Sequence, residues 1–246
     1  MTAAMTTGLL VATSIVLFAA ALHAAVHLLG TQTALRSAGF AVVVGWLAEQ
    51  LGTSFGWLFG SYTYTDVLGP KLLDVPVVIP LMWFALPMIG WAMAQMLLWG
   101  RVSGQRDSWP QSLLIALMAA MLVTAFDLGA DPYFVYVLKA WVMEKPHGGW
   151  FGETVEGFAG WMATSFLITL FIERSRSPAM PALCHARAGA AVGILLSLYL
   201  AAMVFQMAWG ANLALKVISF FVMGIPLLAS WTAWHRWLRS ERGAAP

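Results

Sequence analysis

The sequence predicts an all-α polytopic membrane protein, a bundle of about seven transmembrane helices, and three observations carry that prediction. Of the 246 residues, 61% are hydrophobic and only 10% are charged, where soluble chains average about 25% charged residues. The mean hydropathy is +0.79, more apolar surface than a water-soluble fold of this length can bury. The apolar residues also fall into stretches of the length a bilayer requires, about 20 residues each.

Those stretches lie at 8–30, 34–52, 76–99, 110–129, 157–173, 188–208 and 213–237. The first has no Lys or Arg ahead of it, unlike a cleaved signal peptide, and reads as a retained span. Pro76 and Pro80 fall in the first turns of the third, where a missing N–H costs little. The fifth is short and extends toward Glu153, with Glu153 and Glu156 in the first turn, where the helix dipole favours acids. Residues 132–144, PYFVYVLKAWVME, are apolar but too short to span, and predict an interfacial or re-entrant helix. Neither repeats nor extramembrane segments interrupt the pattern, so 1–246 reads as a single integral-membrane domain.

Charge supplies the orientation. With seven spans, Arg36, Arg101, Arg106, Arg174, Arg176, Arg187, Arg236, Arg239 and Arg242 share one side, against Lys71, Lys139, Lys145 and Lys216 on the other. By the positive-inside rule the nine-residue side and the C-terminus are cytoplasmic. The basic residues sit in short clusters at helix ends, a topology signal and not a nucleic-acid surface. Cys184 is the one cysteine, which excludes a disulfide or a cysteine-cluster metal site. Acids distribute the opposite way: Glu49, Asp66, Asp74, Asp127, Asp131, Glu144, Glu153 and Glu156 map to the non-cytoplasmic side, and only Asp107, Glu173 and Glu241 to the other. A site on the acidic side explains that asymmetry.

Two segments concentrate the chemistry. Between Gly45 and Trp83, Glu49 lies at or inside a span, where an ionised carboxylate costs roughly 2.5–3.5 kcal/mol, and the following loop carries Phe55, Trp57, Phe59, Tyr62 and Tyr64. An interfacial aromatic belt with one helix-end acid accounts for the same composition. Between Asp127 and Trp161, Asp127 and Asp131 are four apart and share a helix face, and two carboxylates that close resist double ionisation. Asp131 also suits the N-cap of a helix beginning at Pro132. Asp127 lies deeper, which a purely structural role explains less well. His147 is a lone loop histidine. His23 and His27 have the i,i+4 spacing of a metal pair but no third ligand. Lys216, at the start of the last span, is badly placed for a retinal Schiff base. Nucleotide-binding glycine loops and the GxSxG elbow do not occur.

The run Glu49, Gly52, Phe55-Gly56, Phe59-Gly60-Ser61-Tyr62-Thr63-Tyr64, Leu68-Gly69-Pro70-Lys71, Val75-Pro76 and Trp83, followed by Asp127, Asp131-Pro132, Trp141, Trp150-Phe151-Gly152 and Phe158-Ala159-Gly160-Trp161, resembles the carotenoid biosynthesis membrane proteins. That family includes the γ-carotene 1′,2′-hydratases and the bisanhydrobacterioruberin hydratases. The resemblance covers roughly 45–161 and is more specific in its first half. The chain departs from it with Thr154 and Gly157, where the family tends to read proline and asparagine.

The resemblance implies a cofactor-independent hydro-lyase of the bacterial or archaeal cell membrane, working on a carotenoid or other long isoprenoid among membrane lipids and alongside other carotenoid-pathway enzymes. Hydrating a terminal isopropylidene group means protonating an alkene carbon and trapping the tertiary cation with water. The donor must be a carboxylic acid that keeps its proton at neutral pH. Asp127 is the preferred donor on depth, with Asp131 as its partner and Glu49 as the alternative donor or the group that orients water. Trp57, Tyr62, Tyr64, Trp83, Trp141 and Trp150 are the aromatics available to hold substrate and to stabilise a cation, at roughly 0.5–2 kcal/mol per face. The three carboxylates are expected to converge on one cavity. A lycopene-type cyclase begins with the same protonation, and a non-catalytic carotenoid- or lipid-binding protein or transporter is the reading from another class.

Reporter fusions at the C-terminus and within residues 101–109 should both report cytoplasm; a non-cytoplasmic C-terminus would mean that an odd number of spans has been miscounted.

Overall fold

An α-helix rises 1.5 Å per residue, so about 20 residues cross the hydrocarbon core. The computed structural model describes residues 2–102, 108–144, 149–151, 154–177 and 185–240, and each of its seven helices reaches that length. They are α1 (Ala3–Leu29), α2 (Thr31–Phe55), α3 (Val78–Trp99), α4 (Trp109–Pro132), α5 (Val155–Ser175), α6 (His185–Trp209) and α7 (Leu213–Ser240). Six of them, all but α2, are apolar enough by composition to be membrane spans. The exception carries Gln32, Arg36, Glu49 and Gln50. Glu153, His147 and Cys184 lie outside the described residues.

Local sequence sets the ends. Gly30 alone separates α1 from α2, and its φ of 79° turns the chain where a side chain would be strained. Gly56 closes α2 in the left-handed conformation, its N–H donating to the Gly52 carbonyl. Thr154 caps α5 by accepting from the Gly157 N–H at 3.1 Å. Glu156 falls in the first turn of α5 as expected, while Pro76 lies in a short strand just before α3 and not within it.

Helix α3 is the hub. It is apolar on all sides, as a buried helix must be, and it touches each of the other six helices. It crosses α4 closely, where a Cβ on Gly90 would lie 2.9 Å from the Ala119 carbonyl oxygen.

Residues 132–144 do not form a separate interfacial or re-entrant helix. The α4 helix runs unbroken through Gly129 to Pro132, continues as one five-residue wide turn (Tyr133–Val137), and gives way to a strand, Trp141–Met143. Asp131 is consequently interior to α4 and is not the N-cap of a new helix beginning at Pro132. Pro132 has a helical φ of −58°; its missing N–H frees the Leu128 carbonyl, which accepts instead from Trp150 Nε1 at 3.0 Å.

Among the described residues four short strands shape the connections: β1 (Tyr62–Tyr64), β2 (Lys71–Leu72), β3 (Val75–Pro76) and β4 (Trp141–Met143). Within the α2–α3 connection, β2 and β3 form a small antiparallel hairpin. Asp74 pins that hairpin to α2 by accepting from Gln50 Nε2 at 2.8 Å, and Lys71 pairs with Asp66 at 3.0 Å. β1 from the α2–α3 connection pairs antiparallel with β4 from the α4–α5 connection, Tyr62 opposite Met143 and Tyr64 opposite Trp141. The two chemistry-rich segments therefore meet at one end of the bundle.

The opposite end holds a buried ion pair. Arg176 Nη1 lies 2.6 Å from Glu173 Oε1, with both side chains inaccessible. The other Glu173 oxygen accepts from Trp91 Nε1 at 2.7 Å and from Gln95 Nε2 at 3.2 Å, both on α3. Breaking a buried pair costs about 3–5 kcal/mol, whereas replacing both partners with apolar groups is often close to neutral. Arg176→Met should therefore lower the thermal midpoint of the detergent-solubilised protein sharply, and Glu173→Leu combined with Arg176→Met should recover most of the loss. Additive losses in the double variant would show that the pair is not a coupled unit.

Candidate active site

Glu49 sits near the end of α2 with glycines on its own helical face. Gly45 is one turn before it and Gly52 about one turn after. A Cβ on Gly45 would fall 2.5 Å from Cβ and Cγ of Trp83, and one on Gly52 would fall 2.9 Å from the Tyr62 hydroxyl. The missing side chains let both partners reach the carboxylate. Trp83 Nε1 donates to Glu49 Oε1 at 2.8 Å. Tyr64 donates its hydroxyl to Oε2 at 2.8 Å, and Tyr62 donates to the same oxygen. Glu49 is only 5% exposed, so these three donors replace the water a carboxylate would otherwise keep.

The tyrosines come from the β1–β4 ribbon. Side chains alternate across a strand, and β1 shows the pattern with Tyr62 and Tyr64 buried and Thr63 exposed. On β4, Val142 is the outward residue and is 56% exposed. Trp141 packs edge-on against Tyr64 at 5.7 Å and stacks on Phe134 at 5.5 Å.

Behind the ribbon lies a cavity of about 530 Å³, measured out to its open mouth. Glu49 and Asp131 both line it, one from α2 and one from α4. Aromatic walls come from Phe59, Tyr62, Tyr64, Trp83, Trp141 and Trp161, and Ile79, Met82, Met143 and Gly157 complete the lining. Trp83 and Trp161 pack with ring centres 4.6 Å apart. Gly160 makes room for this wall, since a Cβ there would fall 2.3 Å from the Leu58 carbonyl oxygen.

Of the residues singled out from sequence, Glu49, Asp131, Tyr62, Tyr64, Trp83 and Trp141 line this cavity. Asp127 does not: it lies one turn deeper on α4 and is 1% exposed. The expected convergence thus holds for Glu49 and Asp131 but not for the third carboxylate. Trp57 is 61% exposed at the bundle end, away from the cavity, because Gly56 turns the chain outward immediately before it. Trp150 serves the Leu128 carbonyl. Sequence reasoning missed Phe59, Ile79, Met82, Met143, Gly157 and Trp161. Phe59 and Trp161 stood in recognisable motifs, Ile79 lies one turn before Trp83 on α3 at i−4, and Met82 lies three residues after Ile79. Met143 was legible only as the inward neighbour of Trp141 in an alternating strand. His23 and His27 touch ring to ring at 4.7 Å, and no group of three metal-ligating side chains occurs among the described residues.

Six described helices around the apolar hub α3, with two carboxylates facing an aromatic cavity at one bundle end, define a polytopic membrane protein with a site suited to an apolar ligand. The carotenoid biosynthesis protein family matches residues 8–230, and the chain belongs to that family. It is 33% identical over 143 residues to a bisanhydrobacterioruberin hydratase from Haloarcula japonica, a match covering 56% of this chain and 45% of that protein. The chain thus spans less than half the length of that relative. No solved structure matches it.

Burial, followed by the adjacent Glu49 carboxylate, pushes the Tyr62 and Tyr64 phenols well above their usual range. A phenol with a raised folded-state pKa keeps its proton past the unfolded value, so both hydrogen bonds to Glu49 are fully present below about pH 10 and are lost only as pH climbs beyond it. In a spectrophotometric titration, Tyr62→Phe and Tyr64→Phe should leave the phenolate absorbance near pH 10 unchanged. A loss of that signal in either variant would mean that its ring is solvated.

Proposed function

We propose that the protein hydrates a terminal isopropylidene double bond of a carotenoid or similar long isoprenoid. One observation carries this reading: two carboxyl groups from different helices face a single aromatic-walled cavity at the end of a membrane bundle. A carotenoid lies in the hydrocarbon core, and only its reacting end needs to meet water. Membership of the carotenoid biosynthesis family and the hydratase relative support the substrate class.

The two carboxyls take different parts. Glu49 accepts from three donors, an arrangement that suits a fixed anion. Asp131 is the second carboxyl that lines the cavity, and it takes the role of proton donor in preference to the deeper Asp127. The Asp131 proton forms a C–H bond at the alkene carbon bearing one hydrogen, and the π pair is consumed, leaving a tertiary cation. Water then forms the C–O bond and surrenders a proton to Glu49, and exchange with solvent restores both carboxyls. Addition of water leaves the overall oxidation level unchanged, so the chemistry asks for no redox partner. The anion at Glu49 and the faces of Phe59, Trp83, Trp141 and Trp161 stabilise the cation. Asp127, one turn below Asp131 on the same face, acts as a positioning residue.

Carotenoids extracted from a lycopene-producing host that expresses the chain test the proposal by mass spectrometry. Hydration adds the mass of water, cyclisation adds none, and a binding protein changes nothing. Asp131→Asn should reduce the hydrated product by about 10²–10⁴-fold, the usual cost of losing a general acid, with pigment still co-purifying. Asp127→Asn should cost less. Full hydration by Asp131→Asn would remove Asp131 from the mechanism.

A further inference from the structure

Hydration needs two supplies, an apolar chain from the membrane and a water molecule; the six aromatic rings of the cavity suit the first, and its two carboxyls receive the second only by a route that itself offers water polar partners. A second recess of about 490 Å³ lies beside it, lined by Gly56, Gly60, Ser61, Met143, Thr154 and Glu156. Its character is different. Two hydroxyls and an exposed carboxylate line it, and Gly56 and Gly60 hold φ near +69° and +80°, so neither projects a Cβ into the space.

The two linings are adjacent along the chain. Gly60 follows Phe59, Ser61 precedes Tyr62, and Glu156 precedes Gly157, so three vestibule residues are chain neighbours of three cavity residues. Met143 belongs to both linings. It lies opposite Tyr62 in the β1–β4 ribbon, and Tyr62 donates to Glu49. The same strand end is anchored by the Glu144 N–H donating to the Ser61 carbonyl at 3.0 Å. An unbranched thioether in this position fills the gap while remaining adaptable.

We infer that the polar recess is the water inlet of the site and that Met143 sets how readily water reaches the cation. The inference rests on the hydratase reading above. It makes Met143 a specificity-determining residue: where water arrives, the cation closes to a tertiary alcohol by C–O bond formation. Where it does not, the cation returns a proton to a cavity carboxylate and the alkene is regenerated.

That partition is measurable. Isolated membranes containing the full chain and unlabelled linear carotene are transferred to D2O, and two quantities are followed by mass spectrometry: hydrated product, and deuterium entering recovered carotene. Met143→Trp should reduce the hydrated product at least tenfold while deuterium continues to enter the carotene, because protonation persists and capture fails. Val142→Trp, the same bulk placed on the outward face of the same strand, where the side chain is 56% exposed, should behave like the wild type and controls for disturbance of the ribbon. Hydration by Met143→Trp at the wild-type rate would overturn the inlet, as would hydration and deuterium entry falling together. A wild-type preparation that neither hydrates nor labels carotene would instead defeat the hydratase reading itself.

Discussion

A carboxylate at the end of a membrane helix has to be given donors, because neither lipid nor an aromatic cavity supplies any. At Glu49 that requirement is met by three residues separated widely in sequence, Tyr62, Tyr64 and Trp83. Meeting it brings the α2–α3 connection back over the end of α2, where Gln50 and Asp74 hold it. It also fixes β1 with its tyrosines inward, and β1 is then the template on which β4 pairs. The aromatic wall, the cavity and the vestibule beside it follow from that one arrangement. Glycine is required at Gly45 and Gly52 for the same reason, since the donors occupy the space that side chains there would fill.

The bundle holds this end steady through α3. Trp83 near its start serves Glu49, while Trp91 and Gln95 further along serve Glu173. Two buried carboxylates at opposite ends are thus bonded to one helix that touches all the others. Their environments differ in a way that separates their roles. Glu173 has a guanidinium counter-charge at 2.6 Å, so it is a neutralised structural pair. Glu49 accepts from three neutral donors and lines the cavity, so its carboxyl is within reach of a ligand.

Family membership and geometry support each other without repeating each other. Matching motifs lead to the carotenoid biosynthesis family, and a relative named a hydratase is matched over 45% of its length. Neither says which carboxyl faces the substrate. Placement of Asp131 at the cavity and Asp127 a turn below it supports Asp131 for that part in the proposed reaction. It shifts the proposed donor from the residue that depth alone favoured to the one a ligand can reach.

Composition and periodicity alone determined the membrane fold, the number of helices and most of their limits, because a bilayer imposes a length and a polarity that can be counted along the chain. Glu49 and the Asp127–Asp131 pair were legible for a related reason: acids are costly in such a setting and stand out wherever they are kept. Tertiary structure alone decided which aromatics face the site. Trp57 and Trp83 are the same residue type, yet a glycine turn exposes one and a helix face buries the other. It also decided the fate of residues 132–144, whose strand forms by pairing with residues 62–64 some eighty positions earlier. Local apolar character predicts burial but not the partner, and strand pairing, cavity walls and the choice between two neighbouring carboxyls are all settled by contacts between residues distant in sequence.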